Sequence, residues 1–333
     1  MRRKSYILFA IVLGGSLSSA CLAIDDGPKA RATSVLIRKY ETIFYSSSEI
    51  QLDSGVHGRL STAEARRLSF PFAYLEAALS ELQGGIFADM LNDSDGILQG
   101  AREFRSPQGS LGLGAVRSRR CYIVLLKSGS RFNLQKYFQT AQVPVAVHGL
   151  VWNWPVYIDE FTEKSRDVTG ASAPRLSSLH ATQVGDQFVL VSNDLKDLQS
   201  IAATLTAWRQ GSPEVPEIED WDDFSRSGVW AYRRYRRGKV ADRMAAGMQD
   251  VTSDAKAISF VLDSAGNALL FRLLLNSAEG ERTVVKMNSN NHLPPLKQIR
   301  KDLWESIVPI PGDSKTEEAV FSIVGLFGFA DYS

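Results

Sequence analysis

The clearest alternation of apolar and polar residues lies in residues 178–208, which predict a strand, a tight turn, a buried strand and a capped helix. Gly185-Asp186 is typical of a two-residue hairpin turn, and the apolar run Phe188–Val191 favours a strand covered on both faces. Ser192, Asn193 and Asp194 are candidate N-caps. One helical stripe follows, formed by Leu195, Leu198, Ile201, Ala202, Leu205 and Trp208.

Four other segments have helical patterns. A capping box at Ser61–Glu64 opens a helix that Pro71 interrupts and that continues to residue 82. Residues 133–141 and 239–251 predict two further helices. A fourth is predicted over residues 296–308, because these apolar residues recur at helical spacing: Leu296, Ile299, Leu303 and Ile307.

Short β-branched and apolar runs predict most of the remaining regular structure as strands. They are residues 111–116, 120–126, 143–148, 150–154, 179–184, 188–191, 229–235, 257–262, 268–276 and 282–287. Strands in close succession, interspersed with helices, indicate an α+β fold with mainly antiparallel sheet and packed helices. Two similar strand–helix–meander–helix units and one long sheet both fit this order.

A linker is predicted at residues 210–218, because Gly211, Pro213 and Pro216 interrupt a stretch without apolar periodicity. The expected organisation is a signal peptide over 1–23, a flexible leader over 24–33, an N-terminal α+β unit over 34–209, this linker over 210–218 and a C-terminal α+β unit over 219–333.

The N-terminus has the three parts of a secretory signal peptide. Basic Met1–Lys4 precedes the apolar stretch Ser5–Gly15 and the small residues of Ser16–Ala23. The alternative is a short membrane anchor, but the apolar stretch is shorter than the roughly 20 residues that span a bilayer. The pattern therefore predicts export, to the periplasm or beyond the cell, with no transmembrane span in the mature chain.

Ser18–Cys21, preceded by Leu17, resembles the lipobox of bacterial lipoproteins. The resemblance covers only these few residues, and Ser18 stands where the lipobox usually has an aliphatic residue. It implies that Cys21 becomes the lipidated first residue of an anchored protein. Cleavage after Ala20 or Ala23 without lipidation is the alternative.

Composition limits the kinds of ligand. The 333 residues carry a net charge of +1, so any binding of anions must depend on a local group of basic side chains. Four histidines and two cysteines make a metal site or a disulfide framework unexpected. We predict no metal, no cofactor and, because the chain is exported, no nucleic-acid partner.

The densest basic group follows an acidic block and lies in residues 233–243. Its predicted binding residues are Arg233, Arg234, Arg236 and Arg237 with Tyr232 and Tyr235. Guanidinium groups bind oxyanions through paired hydrogen bonds, and aromatic faces stack. Alternation along a strand sends neighbouring side chains to opposite faces, so the alternative interpretation is a solvated strand edge protected by charge.

Catalytic signatures such as G-x-S-x-G, H-E-x-x-H, a P-loop and G-x-G-x-x-G are missing from the sequence. We therefore predict no catalytic residue and interpret Cys121, His148 and His180 as structural. Trp152 and Trp154 share one strand face and are expected to pack in the core rather than stack on a sugar.

These observations favour an exported, non-enzymatic protein of the bacterial envelope with a binding or assembly role. Its partner would be an envelope protein, a glycan or an anionic lipid surface. The alternatives are an exported hydrolase with an unrecognised site and an anionic-surface binder acting through Arg233–Arg243.

Overall fold

The fold is taken from a computed structural model. The structure describes residues 27–49, 72–82, 85–105, 116–141, 145–158, 175–208, 216–235, 255–263, 267–275, 284–285, 288 and 294–310. The predicted signal peptide, Cys21, most of the predicted linker and the residues from 311 onward lie outside this part of the chain.

The described strands form one antiparallel sheet of 12 strands in the order β11-β12-β10-β9-β8-β1-β2-β3-β7-β6-β5-β4. The strands are β1 (Thr42–Ser47), β2 (Ser94–Arg105), β3 (Val116–Leu126), β4 (Ala146–His148), β5 (Val151–Ile158), β6 (Arg175–Val184), β7 (Phe188–Ser192), β8 (Val229–Arg234), β9 (Ala255–Leu262), β10 (Ala268–Leu275), β11 (Lys297–Arg300) and β12 (Leu303–Pro309). The expected α+β fold with mainly antiparallel sheet is confirmed.

Helices cover both faces of this sheet. They are α1 (Gly27–Lys39), α2 (Ala73–Leu82), α3 (Ile86–Asn92), α4 (Leu134–Gln139), α5 (Leu195–Trp208) and α6 (Trp221–Arg226). Helices α1, α5 and α6 pack on one face, which we call the α1 face, and α2, α3 and α4 pack on the other, the α2 face. The two faces bury separate hydrophobic clusters, which accounts for strands that are apolar on both sides.

Strand β1 joins the two halves of the sheet. Thr42 lies opposite Ala101 of β2 on one side and Arg233 of β8 on the other. A strand from the beginning of the described chain therefore lies between strands from both predicted units. The position of the linker over 210–218 remains a prediction.

Helix α1 corrects the prediction of a flexible leader over 24–33. From Gly27 onward this segment is helical, and Lys29 is 9% exposed. The Lys29 Nζ donates to the main-chain oxygens of Ser225 (2.7 Å) and Ser227 (3.1 Å) and lies 3.9 Å from the Tyr45 ring centroid. The polar composition was misleading because a buried lysine is tolerated when its ammonium group has partners.

The second correction concerns residues 296–308, which were predicted as a helix. They form the hairpin of β11 and β12, and β12 pairs along its whole length with β10. Leu303 and Val308 are buried, whereas Ile299 is 58% and Ile307 57% exposed. The helical spacing was coincidental, because pairing with β10 satisfies the backbone and buries a different set of side chains.

Two smaller findings complete the comparison with the predicted elements. Val284 and Val285 are helical, so the strand predicted over 282–287 is wrong there.

Strand β2 was not predicted, and its Gly100 has a packing role. A Cβ at Gly100 would lie 2.5 Å from Cδ2 of Tyr40, so only glycine lets the ring of this buried tyrosine lie on the strand.

The stretch at residues 178–208 is confirmed as two strands and a helix, although its turn has three residues between Val184 and Phe188. Asp194 Oδ1 accepts from the amide of Asp197 at 2.9 Å, which identifies Asp194 as the N-cap of α5 among the three candidates. Three residues of the predicted stripe are buried: Leu198, Ile201 and Leu205.

Candidate functional site

Two of the predicted binding residues lie on the α1 face of β8. Tyr232 is only 7% exposed, and burial raises the pKa of its hydroxyl, with the charge of Arg234 opposing the shift. Arg234 Nη2 donates to the main-chain oxygen of Ile37 at 2.8 Å, so this arginine fastens the end of α1 to the sheet.

Arg233 and Tyr235 occupy the opposite face. The Arg233 guanidinium carbon lies 5.5 Å from the Tyr235 ring centroid, within cation–π range. Burial raises the pKa of Tyr235, and the neighbouring Arg233 charge opposes this shift. The separation onto two faces is the one that strand alternation predicts. Arg236 and Arg237 lie outside the described residues, and the four predicted residues that are described are divided into two pairs on opposite faces.

The residues interpreted as structural are packed accordingly. Cys121 is fully buried, and burial raises the pKa of its thiol. Trp154 is fully buried and donates through Nε1 to the main-chain oxygen of Ala78 at 3.3 Å. Trp152 stacks on Phe138 of α4, with the ring centroids 5.3 Å apart and the planes at 2°. The packing interpretation of both tryptophans is confirmed.

His148 and His180 lie on β4 and β6 as predicted. Burial lowers the pKa of His180, and the nearby His148 adds to the shift while Asp194 opposes it. Within the described part of the chain, His180 Nδ1 has no hydrogen-bond partner. No cluster of three or more His, Cys, Asp or Glu side chains suited to a metal ion occurs among the described residues.

Part of the acidic block contributes to an ion-pair network near the β11 edge. Arg272 of β10 is held by Glu305 of β12 (Nε to Oε2, 2.8 Å) and by Asp223 of α6 (Nη2 to Oδ2, 2.6 Å). Burial alone would lower the pKa of Arg272, but hydrogen bonds and charge from these two carboxylates raise it overall. Arg300 of β11 also pairs with Glu219, which in turn lies 3.2 Å from Lys256.

The β4 edge, defined as Ala146–His148 with the adjoining turn residue Leu150, has a different character. All three strand residues are exposed, and β5 is the one strand that pairs with β4 in the described structure. Val147 is 56% exposed and Leu150 78%. The outward main-chain groups of such a strand can pair with another chain.

This edge continues the hydrophobic core of the α2 face. Val147 lies opposite Trp152 in the register of β4 and β5, and Trp152 stacks on Phe138. Apolar surface therefore runs from the buried ring of Phe138 through half-buried Trp152 to exposed Val147. Contiguous apolar surface beside unpaired main-chain groups is the chemistry that binds an extended peptide as an additional strand.

Sequence reasoning identified the segments around β4 but not their significance. Residues 143–148 and 150–154 were predicted as strands, and the pattern of Val147 and Trp152 is ordinary for a sheet. The place of a strand at the edge depends on the order of the whole sheet, which a local pattern does not contain.

Comparisons with known proteins give a distant structural similarity. No protein-family model matches the chain, and no curated protein matches it. Crystal forms I and III of the protein TP0453 are similar to it with a TM-score of 0.42 each and 8% and 7% sequence identity. Each alignment covers 88% of this chain and 97% of the other. None of the described helices has the length and apolar character needed to cross a membrane.

Proposed function

We propose that this chain is an exported, non-enzymatic protein of the bacterial envelope that binds a partner protein by strand addition at the β4 edge. The exposed, uncharged edge strand beside the core of the α2 face is the observation that carries the proposal. Export is supported by the tripartite pattern of Met1–Ala23, and the non-enzymatic role by the missing catalytic motifs.

The chemistry of the edge suggests what kind of partner it binds. Main-chain donors and acceptors of β4 give affinity for any extended segment, whereas side-chain contacts give specificity. Val147 and Leu150 offer exposed apolar contacts. The fitting partner is an extended segment of another envelope protein with apolar residues at alternate positions.

The test places a photo-crosslinking amino acid at position 147 of the full chain, expressed in living cells. A variant with the same amino acid at position 299 is the matched control. Both native side chains are exposed aliphatic residues, 56% for Val147 and 58% for Ile299, but they lie at opposite edges of the sheet. We expect adducts at position 147 that map to one extended segment of one envelope protein, and a far lower yield at position 299.

A second variant separates loss of binding from loss of folding. Leu150→Lys should abolish the adduct at position 147 while leaving the unfolding midpoint unchanged, because Leu150 is mostly exposed. Equal yields at positions 147 and 299, or adducts scattered over many unrelated proteins, would contradict strand addition. The alternative function, an exported hydrolase, predicts a catalytic activity that survives Leu150→Lys.

Lipid anchoring through Cys21 belongs to the same proposal and has its own test. Mass analysis of the N-terminus in membrane and soluble fractions should find a processed chain. A diacylated Cys21 identifies the anchored form, and Cys21→Ser should then release the protein into the soluble fraction. An intact N-terminus on chains recovered from the cytoplasm would end the export hypothesis.

A further inference from the structure

Strands β2 and β3 extend beyond their neighbours at one end of the sheet. Pairing with β1 ends at Ala101, and pairing with β7 ends at Cys121, next to a hydrogen bond from the Asn193 amide to the Arg120 oxygen. The β2–β3 register continues from Arg102↔Arg119 to Arg105↔Val116 with no further strand beside it in the described structure. This two-stranded ribbon projects by about 13 Å.

The projecting ribbon, which we call the arginine hairpin, comprises residues 102–105 and 116–119. Its sequence contains four arginines and one acidic residue: Arg102, Arg105, Arg117, Arg119 and Glu103. Arg102 lies directly opposite Arg119, and like charges in that relation destabilise a sheet. Asp194, 3.1 Å from Arg119 Nε, offsets part of this repulsion.

More basic residues surround the base of the hairpin. The adjacent strands β3, β2, β1 and β8 have, at one level of the sheet, the residues Arg120, Ala101, Thr42 and Arg233. Arg120 and Arg233 are therefore about 15 Å apart. Arg234 and the C-terminal residues of α1 lie at the same end. The described basic side chains there are Arg38, Lys39, Arg102, Arg119, Arg120, Arg233 and Arg234, against the acidic Glu41, Asp194 and Asp197.

The distribution of these charges indicates the shape of the ligand. Arg102, Arg119 and Arg234 belong to the α1 face, whereas Arg120 and Arg233 belong to the α2 face. A small ligand on one face would meet only part of the group. A flat, extended anionic surface lying across the strand ends would meet basic side chains from both faces.

We infer that the arginine hairpin and the basic residues at its base dock on the surface of an anionic phospholipid bilayer, through the headgroup phosphates. Guanidinium groups pair well with phosphate oxygens, and a cluster of basic side chains gains attraction from the negative surface potential. This inference is independent of the β4 edge, which lies three strands beyond β7 in the sheet. It also extends the predicted Arg233–Arg243 site to residues that are distant in sequence.

The test measures sedimentation of the mature chain with vesicles of equimolar phosphatidylglycerol and phosphatidylcholine. The variant is Arg102→Gln/Arg233→Gln, and the matched control is Lys127→Gln/Arg131→Gln, which removes the same charge at the opposite end of β3. Each basic side chain near the surface contributes about fivefold to binding, so the variant should bind about 25-fold more weakly. The control should bind like the wild type.

Salt and folding provide the remaining readouts. Binding should be lost at about 0.5 M salt, because the surface potential is screened over a short distance. Arg102→Gln alone should not lower the unfolding midpoint, since it removes a like-charge pair. Equal weakening in the control, binding to pure phosphatidylcholine, or salt-independent binding would overturn the inference. So would binding to an acidic polypeptide with no detectable binding to the vesicles, which would instead identify an acidic protein partner.

Discussion

The two edges of the sheet differ in what they present to solvent. At one edge β4 has the sequence Ala-Val-His and leads into the exposed Leu150, without a charged side chain. At the other edge β11 has the sequence Lys-Gln-Ile-Arg, so the exposed Ile299 lies between two basic residues. Charged residues on an edge strand prevent pairing with other chains. The β11 edge is therefore protected against association, whereas the β4 edge permits it.

The contacts that hold the sheet next to each edge also differ, being apolar next to β4 and charged next to β11. Behind β4, α4 packs on the sheet through the rings of Phe138, Trp152 and Trp154. Behind β11, the sheet is connected to α6 by Arg272 and its two carboxylate partners. Stability near β4 should thus depend on buried apolar contacts, and stability near β11 on complete ion pairs. The predictions below test this difference, from the largest expected effect to the smallest.

The largest effect is expected for Phe138→Ala. Phe138 is 6% exposed and contacts both tryptophans, so its removal should lower the free energy of unfolding by about 3–5 kcal/mol. Denaturant unfolding measures the loss. Ile299→Ala is the control, because a side chain that is 58% exposed should change stability by less than about 0.5 kcal/mol. Equal effects of the two substitutions would remove the proposed difference between the edges.

Arg272→Leu tests the ion pairs behind β11. The substitution leaves Glu305, only 15% exposed, without its basic partner and should cost about 2 kcal/mol, less than a fully buried pair would. The double variant Arg272→Leu/Glu305→Leu should recover most of this loss, because the carboxylate that remains unpaired, Asp223, is 47% exposed and stays solvated. If the double variant is as unstable as the single one, packing rather than charge holds this region.

Lys297→Ser/Arg300→Ser should make the β11 edge resemble the β4 edge. Arg300 is 42% exposed, so losing its ion pairs should cost less than about 1 kcal/mol. The expected change is concentration-dependent self-association, measured by sedimentation velocity, because the edge loses its protecting charges. Val147→Lys should have the opposite effect on any association at β4. A double variant that remains as monodisperse as the wild type would show that charge does not protect β11.

The smallest effect concerns pH. Burial lowers the pKa of His180 below its ordinary value, so the unfolded chain binds more protons than the folded chain as pH falls through about 6.5. The contribution of His180 to stability is therefore complete above that pH and declines below it. His180→Gln should flatten the decrease in unfolding free energy between neutral and mildly acidic pH. An unchanged slope would show that other groups cause the decrease.

The local pattern of apolar and polar residues was sufficient to predict elements with a regular period or with their own turn and cap residues. Residues 178–208 contain their turn, their helix cap at Asp194 and a stripe ending at Leu205, so two strands and a helix could be predicted. The strand at 229–235 was predicted for the same reason, including the division of Arg233 and Arg234 between two faces. The absence of recognised catalytic motifs was also evident from the sequence.

Only tertiary structure decided features that depend on residues far apart in the chain. Lys29 is buried because two main-chain oxygens near residue 226 accept from it, and residues 303–308 are a strand because β10 lies beside them. The exposed position of Val147 and the pairing of Arg102 with Arg119 follow from strand order and register. Sequence periodicity records which faces are apolar, but it does not record which strands become neighbours, because that choice is made by non-local packing.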